Sequence, residues 1–247
     1  MSRFIKVLAG EGNDVVMVLS DSTEMVKKAQ LIHQTTPVAS AALGRVLTAT
    51  QLMGTFLKGE KASVSLMIQG SAQIKKIYAY ANGSGHLKGY ISDPNVPTVL
   101  KANGKLDVSG AVGVHGQILV TRDDGYGIPF VGQSNLVSGE IAEDLTHYYA
   151  YSEQQPSVIS LGVLVGPDQI PLAAGGLMIQ LLPNCSEQSI QQLEALVPKL
   201  RPMSEMVASG LTLEEIAAAI LEHMPYHLID QGNFDFNCDC SWEKIET

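Results

Sequence analysis

Two cysteines near the end of the sequence have the spacing that most directly suggests chemistry. Cys238 and Cys240 form a C-x-C pair. Thiols at this spacing can bind one metal ion together, or they can form a disulfide in a small ring. The Cα atoms of residues i and i+2 in an extended chain lie about 6–7 Å apart, at the outer limit of disulfide geometry, so such a bond is strained and easily reduced. A closed tetrahedral zinc site needs four ligands, and this pair supplies two.

The histidines and the third cysteine are weaker candidates. His223 and His227 could complete a site with two cysteines and two histidines, but Pro225 interrupts the helix that would align them. Cys185 precedes a predicted helix start, where the pKa of its thiol could be lowered, and an inert thiol is the simpler interpretation. The remaining histidines are interpreted as surface or hydrogen-bonded structural residues: His33, His86, His115 and His147.

Motifs for nucleotide binding and for nucleophilic catalysis are incomplete. Residues 83–89 read GSGHLKG, which is one residue too long for a dinucleotide fingerprint and lies between two predicted strands, so the segment predicts a hairpin turn. Residues 132–136, GQSNL, lack the final glycine of a nucleophile elbow. These motifs therefore do not predict an enzyme.

Composition narrows the class of partner and the compartment. The 247 residues include 16 basic and 25 acidic side chains, a net charge of −9, so neither nucleic acid nor an anionic membrane surface is an expected partner. The most apolar stretch, residues 170–183, is too short to span a bilayer and is broken by Pro171. An odd number of cysteines, three, favours a reducing compartment, and we expect a cytoplasmic protein.

The elements that must position these residues begin with a mixture of strands and helices. Apolar runs separated by glycine, asparagine and proline predict strands at 4–8, 15–19, 63–69, 77–80, 87–91, 111–121, 130–137, 158–165 and 172–182. Helices are predicted at 22–33, 38–58 and 140–152. The second helix is rich in alanine and glycine, which lowers its intrinsic stability, so tight packing must compensate and we expect it to be buried.

The pattern changes after Pro183. Three short helices are predicted at 187–197, 202–209 and 213–223, the last of them opened by a capping box at Thr212 and Glu215. Their apolar faces are Ile190, Leu193, Leu196 and Val197, and Leu213, Ile216, Ile220 and Leu221. We therefore expect an α+β fold with a mixed β-sheet core domain and packed helices over 1–183, a small all-helical linker segment over 184–232, and a tail over 233–247 that carries the C-x-C pair.

Several stretches of the sequence resemble the redox-regulated heat-shock holdases, the 33 kDa chaperonin or HslO family. They follow the family order over nearly the whole chain, and they are specific only in combination. The stretches are ASAALGR at 39–45, GKLDV at 104–108, AVG at 111–113, SGEIAED at 138–144, SEQQPS at 152–157, AAGG at 173–176, IQ at 179–180 and C-x-C at 238–240.

The resemblance implies a chaperone that holds unfolding client proteins without ATP under oxidative or heat stress, and it implies no catalysis. In this family a C-x-C and a C-x-x-C pair hold zinc in the reduced, inactive state. Oxidation forms two disulfides, releases zinc and unfolds the switch and the linker. The resemblance thus assigns Cys238 and Cys240 as redox-switch residues and zinc ligands, and residues 233–247 as the start of the zinc-binding domain. It also implies dimerisation on oxidation, so a homodimer is expected.

The second cysteine pair of the family is absent from the 247 residues. We expect that the sequence is a piece of a longer chain, with a natural short form as the alternative. A chain with half of the zinc site is expected to have lost its thiol gating and to favour the binding-competent state. Two other functions stay open: a thiol–disulfide oxidoreductase that uses Cys238 and Cys240, and a zinc or oxidant sensor with one dedicated partner.

Overall fold

A computed structural model describes residues 1–237, which form ten strands and seven α-helices. The strands are β1 (Ser2–Ala9), β2 (Val15–Asp21), β3 (Ser63–Gln69), β4 (Lys76–Asn82), β5 (His86–Ile91), β6 (Gln117–Asp123), β7 (Phe130–Asn135), β8 (Ser157–Val165), β9 (Pro171–Leu181) and β10 (Tyr226–Phe236). The helices are α1 (Thr23–His33), α2 (Pro37–Gly54), α3 (Val108–Val112), α4 (Ala142–Tyr151), α5 (Glu187–Leu196), α6 (Met203–Ala208) and α7 (Leu213–Ile220).

The ten strands of the described residues form one sheet in the order β7-β6-β3-β4-β5-β10-β1-β2-β9-β8. Neighbouring strands are antiparallel except β5 and β10, which are parallel and share two residue pairs. Strand β10 comes last in the chain, yet it lies in the middle of the sheet. Both end strands, β7 and β8, contact α4, so the sheet curls around its helices. The predicted α+β class with a mixed sheet is confirmed.

Helix α2 occupies the centre of the main core, and nearly all of its residues are buried. A Cβ atom at Gly44 would lie 2.8 Å from side-chain carbons of Val26 and Val163, and one at Gly54 would lie 2.9 Å from the ring of Phe234. The small residues of α2 therefore permit the close packing that the sequence predicted. The helix ends at Gly54, earlier than the predicted end near residue 58.

The stretch at 138–144 is organised around a buried carboxylate. Asp144 is fully buried, and it accepts hydrogen bonds of 2.7–3.2 Å from the backbone N–H groups of Val137, Ser138, Gly139 and Ile141. Arg45 of α2 donates a hydrogen bond to Glu140 Oε2 at 2.6 Å. Since these contacts join the start of α4 to α2, this part of the family pattern has a structural role.

One predicted strand begins later than expected. Residues 111–121 were predicted as a single strand, but residues 108–112 form α3, and β6 starts at Gln117. The reason is local capping, because the Asp107 side chain accepts a hydrogen bond of 2.9 Å from the N–H of Gly110. Gly113, with φ of 83°, ends this helix.

The description of residues 184–232 as an all-helical linker segment is wrong for its last part. Residues 226–236 form β10, which pairs with β1 and β5 of the core sheet. The strand was missed because its first six residues are all exposed and show no alternation of apolar and polar side chains. The division of the chain into domains at 183 and 232 stays a prediction.

None of the helices that the structure describes combines the length and the apolar character needed to cross a membrane.

Candidate functional site: an apolar sheet face and its helical cover

One face of strands β1, β2 and β9 forms an apolar surface, which we call the platform. Its side chains come from alternate positions, because successive residues of a strand point to opposite faces of the sheet. They are at most 2% exposed: Ile5, Val7, Ala9, Val15, Met17, Leu19, Leu177 and Ile179. The intervening residues, among them Phe4, Val18 and Met178, face the main core around α2. These strands are therefore buried on both faces.

Three short helices and the residues after them form the cover of the platform. The buried apolar side chains of the cover are Leu193, Met203, Met206, Leu213, Ile216, Ala217, Ile220, Leu221 and Met224. Helices α5, α6 and α7 have 10, 6 and 8 residues. Isolated helices shorter than about 12–15 residues are marginal in water. The cover therefore owes its helical structure to its contact with the platform.

Asp14, in the turn between β1 and β2, attaches α5 to the sheet. It is 8% exposed. Its Oδ2 accepts a hydrogen bond of 2.8 Å from the N–H of Ser186, and its Oδ1 accepts one of 2.8 Å from the Ser189 hydroxyl. Burial alone would raise the pKa of Asp14, but these hydrogen bonds outweigh it and hold the pKa below its usual value.

We expect Asp14→Asn to loosen the start of α5. Loss of the charge weakens two hydrogen bonds that Asp14 accepts, which should lower the free energy of unfolding by about 1–3 kcal/mol. Since the pKa of Asp14 is lower in the folded than in the unfolded state, its contribution is present above the unfolded pKa near about 4 and is lost as the pH falls through the folded pKa.

Urea unfolding at about pH 7 and about pH 3 measures this effect. The difference between wild type and Asp14→Asn should be large at the higher pH and should shrink at the lower one. Glu11→Gln, an exposed carboxylate in the same turn, is the matched control and should have little effect. If the difference in the free energy of unfolding between wild type and Asp14→Asn does not change with pH, the lowered pKa of Asp14 is contradicted.

Cys185 lies beside this attachment, and its thiol is free and partly buried. Burial and the nearby Asp14 carboxylate raise the pKa of Cys185. The lowering considered from its position before a helix is therefore wrong. A thiol with a raised pKa is mostly protonated at neutral pH and reacts slowly. The structure favours the interpretation of Cys185 as an inert thiol.

Cys185→Ser is accordingly expected to leave the response of the chain to oxidant unchanged. In the wild-type chain, iodoacetamide should modify Cys185 more slowly than a free cysteine at neutral pH, since little thiolate is present. Mass spectrometry of timed digests measures the rate. Modification of Cys185 faster than free cysteine would contradict this expectation, as would an altered oxidant response of the variant.

Strand β10 connects the cover to the C-x-C pair. It pairs with β1 from Ala9↔Tyr226 to Ser2↔Phe234, with one shift in register between Lys6 and Val7. Residues 226–231 are exposed. The other end is anchored in the main core, since Phe234 and Phe236 are 4% and 1% exposed. The backbone of β10 thus pairs with β1 along most of the strand, whereas its side chains are buried mainly at the end that leads to the cysteines.

The two predicted switch residues, Cys238 and Cys240, lie outside the described residues, and their role stays a prediction. The structure describes the chain up to Asn237, whose N–H donates a hydrogen bond of 2.9 Å to the carbonyl oxygen of Leu87. The chain is thus held to β5 at the residue that precedes Cys238. A rearrangement at the cysteines would act first on this end of β10.

The two histidines considered as possible partners of the cysteine pair are exposed in the structure. The His223 side chain is 87% exposed, and His227 is an exposed residue of β10 opposite Leu8. Among residues 1–237 no group of three or more histidine, cysteine, aspartate or glutamate side chains could hold a metal ion. The described residues therefore contain no metal site of their own.

Sequence reasoning missed two features of this site, the Asp14 attachment and β10. Asp14 and Ser186 are 172 positions apart, and no local pattern relates them. For β10 a weak signal was present, because the apolar residues Phe234 and Phe236 alternate with polar neighbours shortly after Pro225.

The fold is shared with proteins called 33 kDa chaperonins. The crystal structure of the heat shock protein 33 homologue from Thermotoga maritima matches with a TM-score of 0.88 and 32% identity, over 99% of this chain and 82% of that chain. The 33 kDa chaperonin of Alkaliphilus metalliredigens (strain QYMF) is 41% identical over 245 residues, 99% of this chain and 84% of the relative. That of Clostridium botulinum (strain Alaska E43 / Type E3) is 42% identical over 241 residues, 97% of this chain and 82% of the relative.

The family model described as Hsp33 protein matches residues 3–247. The chain therefore belongs to the Hsp33 family.

Proposed function

We propose that the chain is a redox-regulated, ATP-independent holdase of the cytoplasm that binds unfolding proteins and prevents their aggregation. The observation that carries the proposal is the platform, a set of apolar side chains at most 2% exposed beneath helices too short to be stable alone. Without its cover the platform would be a continuous apolar surface of the kind that binds other apolar polypeptides. Membership of the Hsp33 family, whose relatives are named 33 kDa chaperonin, supports a chaperone function.

We place the switch at Cys238 and Cys240. Each thiol that enters a disulfide gives up one electron and one proton, and one hydrogen peroxide accepts two of each and becomes two water molecules. In the reduced state the two thiolates would supply two of the four ligands of a zinc ion. Zinc, when bound, contributes folding free energy to a segment too short for a core of its own.

The route from the switch to the platform runs through β10. The cysteines follow β10, and β10 follows the cover, so unfolding of the tail would remove the anchored end of β10 and then a support of the cover. The polar attachment of α7 to β1 is weak. Arg3 pairs with Glu214 of α7, but the two side chains are 42% and 49% exposed, and such exposed pairs contribute about 0–1 kcal/mol.

Light scattering from heat-unfolded citrate synthase tests the proposal. The oxidised, zinc-free chain should suppress aggregation without ATP, and precipitation as fast as in buffer would refute a holdase. A chain with half of the zinc site should protect even without peroxide. If protection requires peroxide and is reversed by dithiothreitol, the expected loss of thiol gating is wrong while the holdase stands.

We further propose unfolding polypeptides and, on oxidation, a second copy of the chain as partners, and neither nucleic acid nor membranes. The net charge of −9 disfavours binding to a phosphate backbone. Sedimentation velocity of the reduced and the oxidised chain tests the homodimer. Turnover in an insulin-reduction assay would favour the oxidoreductase, and failure to protect unrelated clients would favour the dedicated sensor.

A further inference from the structure

Strand β7 and the loop before it form an exposed apolar surface that the proposed function does not use. We call residues 126–135 the β7 edge. Its large exposed side chains are Tyr126 at 84%, Ile128 at 97%, Phe130 at 54% and Val131 at 56% exposure. Strand β7 ends the sheet, and within residues 1–237 no strand pairs with its outer side. Proteins usually protect such edges with lysine or proline. Pro129 lies just before β7, and the strand itself, FVGQSN at 130–135, contains neither residue.

Hydrogen bonding shows which backbone groups of β7 are free. The N–H of Leu136 donates to the carbonyl oxygen of Gly116 at 2.9 Å and therefore points toward β6. Because backbone groups alternate between the two sides of a strand, the N–H groups of Val131, Gln133 and Asn135 point outward. All three residues are exposed. An extended chain can therefore reach a row of unpaired backbone donors and acceptors.

We propose that the β7 edge binds an extended apolar segment of a non-native polypeptide, which joins the sheet as an additional strand. The inference rests on the proposed function, for which it names a second client contact. Five strands separate β7 from the nearest platform strand, β1, in the sheet order. The β7 edge is therefore open while the cover is in place, and binding there needs no oxidant.

The size of the β7 edge favours a client segment over a second copy of the chain. Its six strand residues span about 20 Å. Pairing of two such strands buries less than the ~1,000 Å² that a specific dimer needs. Each copy also carries a net charge of −9, which opposes self-association. A weakly held client needs less buried area than a dimer, because main-chain hydrogen bonds bind an added strand with little dependence on its sequence.

The charges beside the loop indicate which client segments fit. Asp123 and Asp124 precede the loop, whereas the neighbouring Arg122 is already paired with Glu153 at 2.8 Å. Lys61 is also near the loop, and its Nζ lies 6.0 Å from the centre of the Tyr126 ring. The two aspartates outnumber this one lysine, so the charge beside the loop is negative. We therefore expect the β7 edge to prefer apolar segments that carry lysine or arginine.

The test uses the reduced chain and a fluorescein-labelled peptide of alternating valine and lysine. Gln133→Pro removes one outward N–H and leaves the ladder to β6 intact, and Gln133→Val keeps that N–H as the matched control. Fluorescence anisotropy should show about fivefold weaker binding for the proline variant, as expected for one hydrogen bond. In the wild-type chain, the peptide should slow amide exchange at Val131, Gln133 and Asn135.

A second variant tests the proposal independently, in case Gln133→Pro does not fold. Ile128→Ser changes a side chain that is 97% exposed, so the fold should be unaffected, and peptide affinity should fall about fivefold. Leu31→Ser, at an apolar residue of α1 that is 72% exposed, is its control and should bind normally. Unchanged affinity in both Gln133→Pro and Ile128→Ser would overturn the inference. A dimer that Gln133→Pro dissociates would also overturn it, in favour of a second copy.

The holdase proposal and the β7-edge proposal can be refuted independently of each other. A chain that binds the peptide at the β7 edge but never protects citrate synthase would refute the holdase and leave the edge assignment. A chain that protects citrate synthase, with peptide affinity unaffected by either variant, would refute the edge assignment alone.

Discussion

Ile216→Asp is expected to expose the platform, so that the reduced variant binds unfolding proteins more strongly than the reduced wild-type chain. Ile216 lies in the middle of α7, is fully buried and belongs to the cluster that joins the cover to the platform. A carboxylate at this position is either buried without a partner, at a cost of several kcal/mol, or leaves the platform together with its helix. Since α7 has 8 residues, it does not persist alone. The main core lies on the other face of the sheet and should stay folded.

Dye binding and client protection measure this release. Fluorescence of anilinonaphthalene sulfonate should rise severalfold with Ile216→Asp, and the reduced variant should suppress aggregation of citrate synthase at a lower concentration than the reduced wild-type chain. Ala218→Asp places the same charge on the exposed face of the same helix and should behave like the wild type. If the two variants bind dye and protect client equally, the cover does not conceal the binding surface.

Phe236→Ala is expected to lower the free energy of unfolding by about 3–5 kcal/mol, the usual cost of removing a buried aromatic ring. The Phe236 side chain is 1% exposed, and its ring lies 6.4 Å from that of His33 in an edge-on arrangement. Within residues 1–237, two residue pairs, Asp235↔His86 and Phe236↔Leu87, join β10 to β5. Loss of the ring should therefore free the end of β10 next to the cysteines and raise client binding in the reduced state.

Amide hydrogen exchange localises this effect. The N–H groups of Asp235 and Asn237 donate to the carbonyl oxygens of Gly85 and Leu87, both at 2.9 Å, and in the variant they should exchange at least about tenfold faster. Strand β3 should keep its protection. Tyr226→Ala, at the exposed end of the same strand, is the control and should change little. Equal effects of Phe236→Ala and Tyr226→Ala would show that β10 has no special anchor at its end.

Local signals in the sequence predicted most of the elements correctly. The capping box at Thr212 and Glu215 is present, with the Thr212 N–H donating to Glu215 Oε2 at 2.8 Å. The hairpin turn predicted at residues 83–89 joins β4 to β5, and the Asn82 side chain accepts hydrogen bonds from the N–H groups of Ser84 and His86. Both features depend on residues close together in the chain, and so a single sequence suffices to predict them.

Partners distant in the chain could not be predicted. The position of β10 depends on pairing with β1 and β5, which lie far earlier in the sequence, and the exposure of residues 226–231 removes the alternation that marks a strand. The predicted apolar helix faces do belong to the cluster that joins the cover to the platform, as Leu193, Leu213 and Ile216 show. The sheet face beneath them was not predicted, because β2 is buried on both sides and its sequence does not distinguish the two faces. The roles of Cys238 and Cys240 depend on spacing and resemblance and stay predictions.

The central position of the last strand has a consequence for biosynthesis. On a ribosome, β10 emerges after every other described strand, so the growing chain first holds two separate sheets, β7-β6-β3-β4-β5 and β1-β2-β9-β8. Helices α1, α2 and α4, each of which contacts strands of both groups, then link them. Addition of β10 then fills the gap between these two groups of strands. Each nascent molecule passes through a form in which this gap is open, and the gap closes only after residues 226–236 have been made.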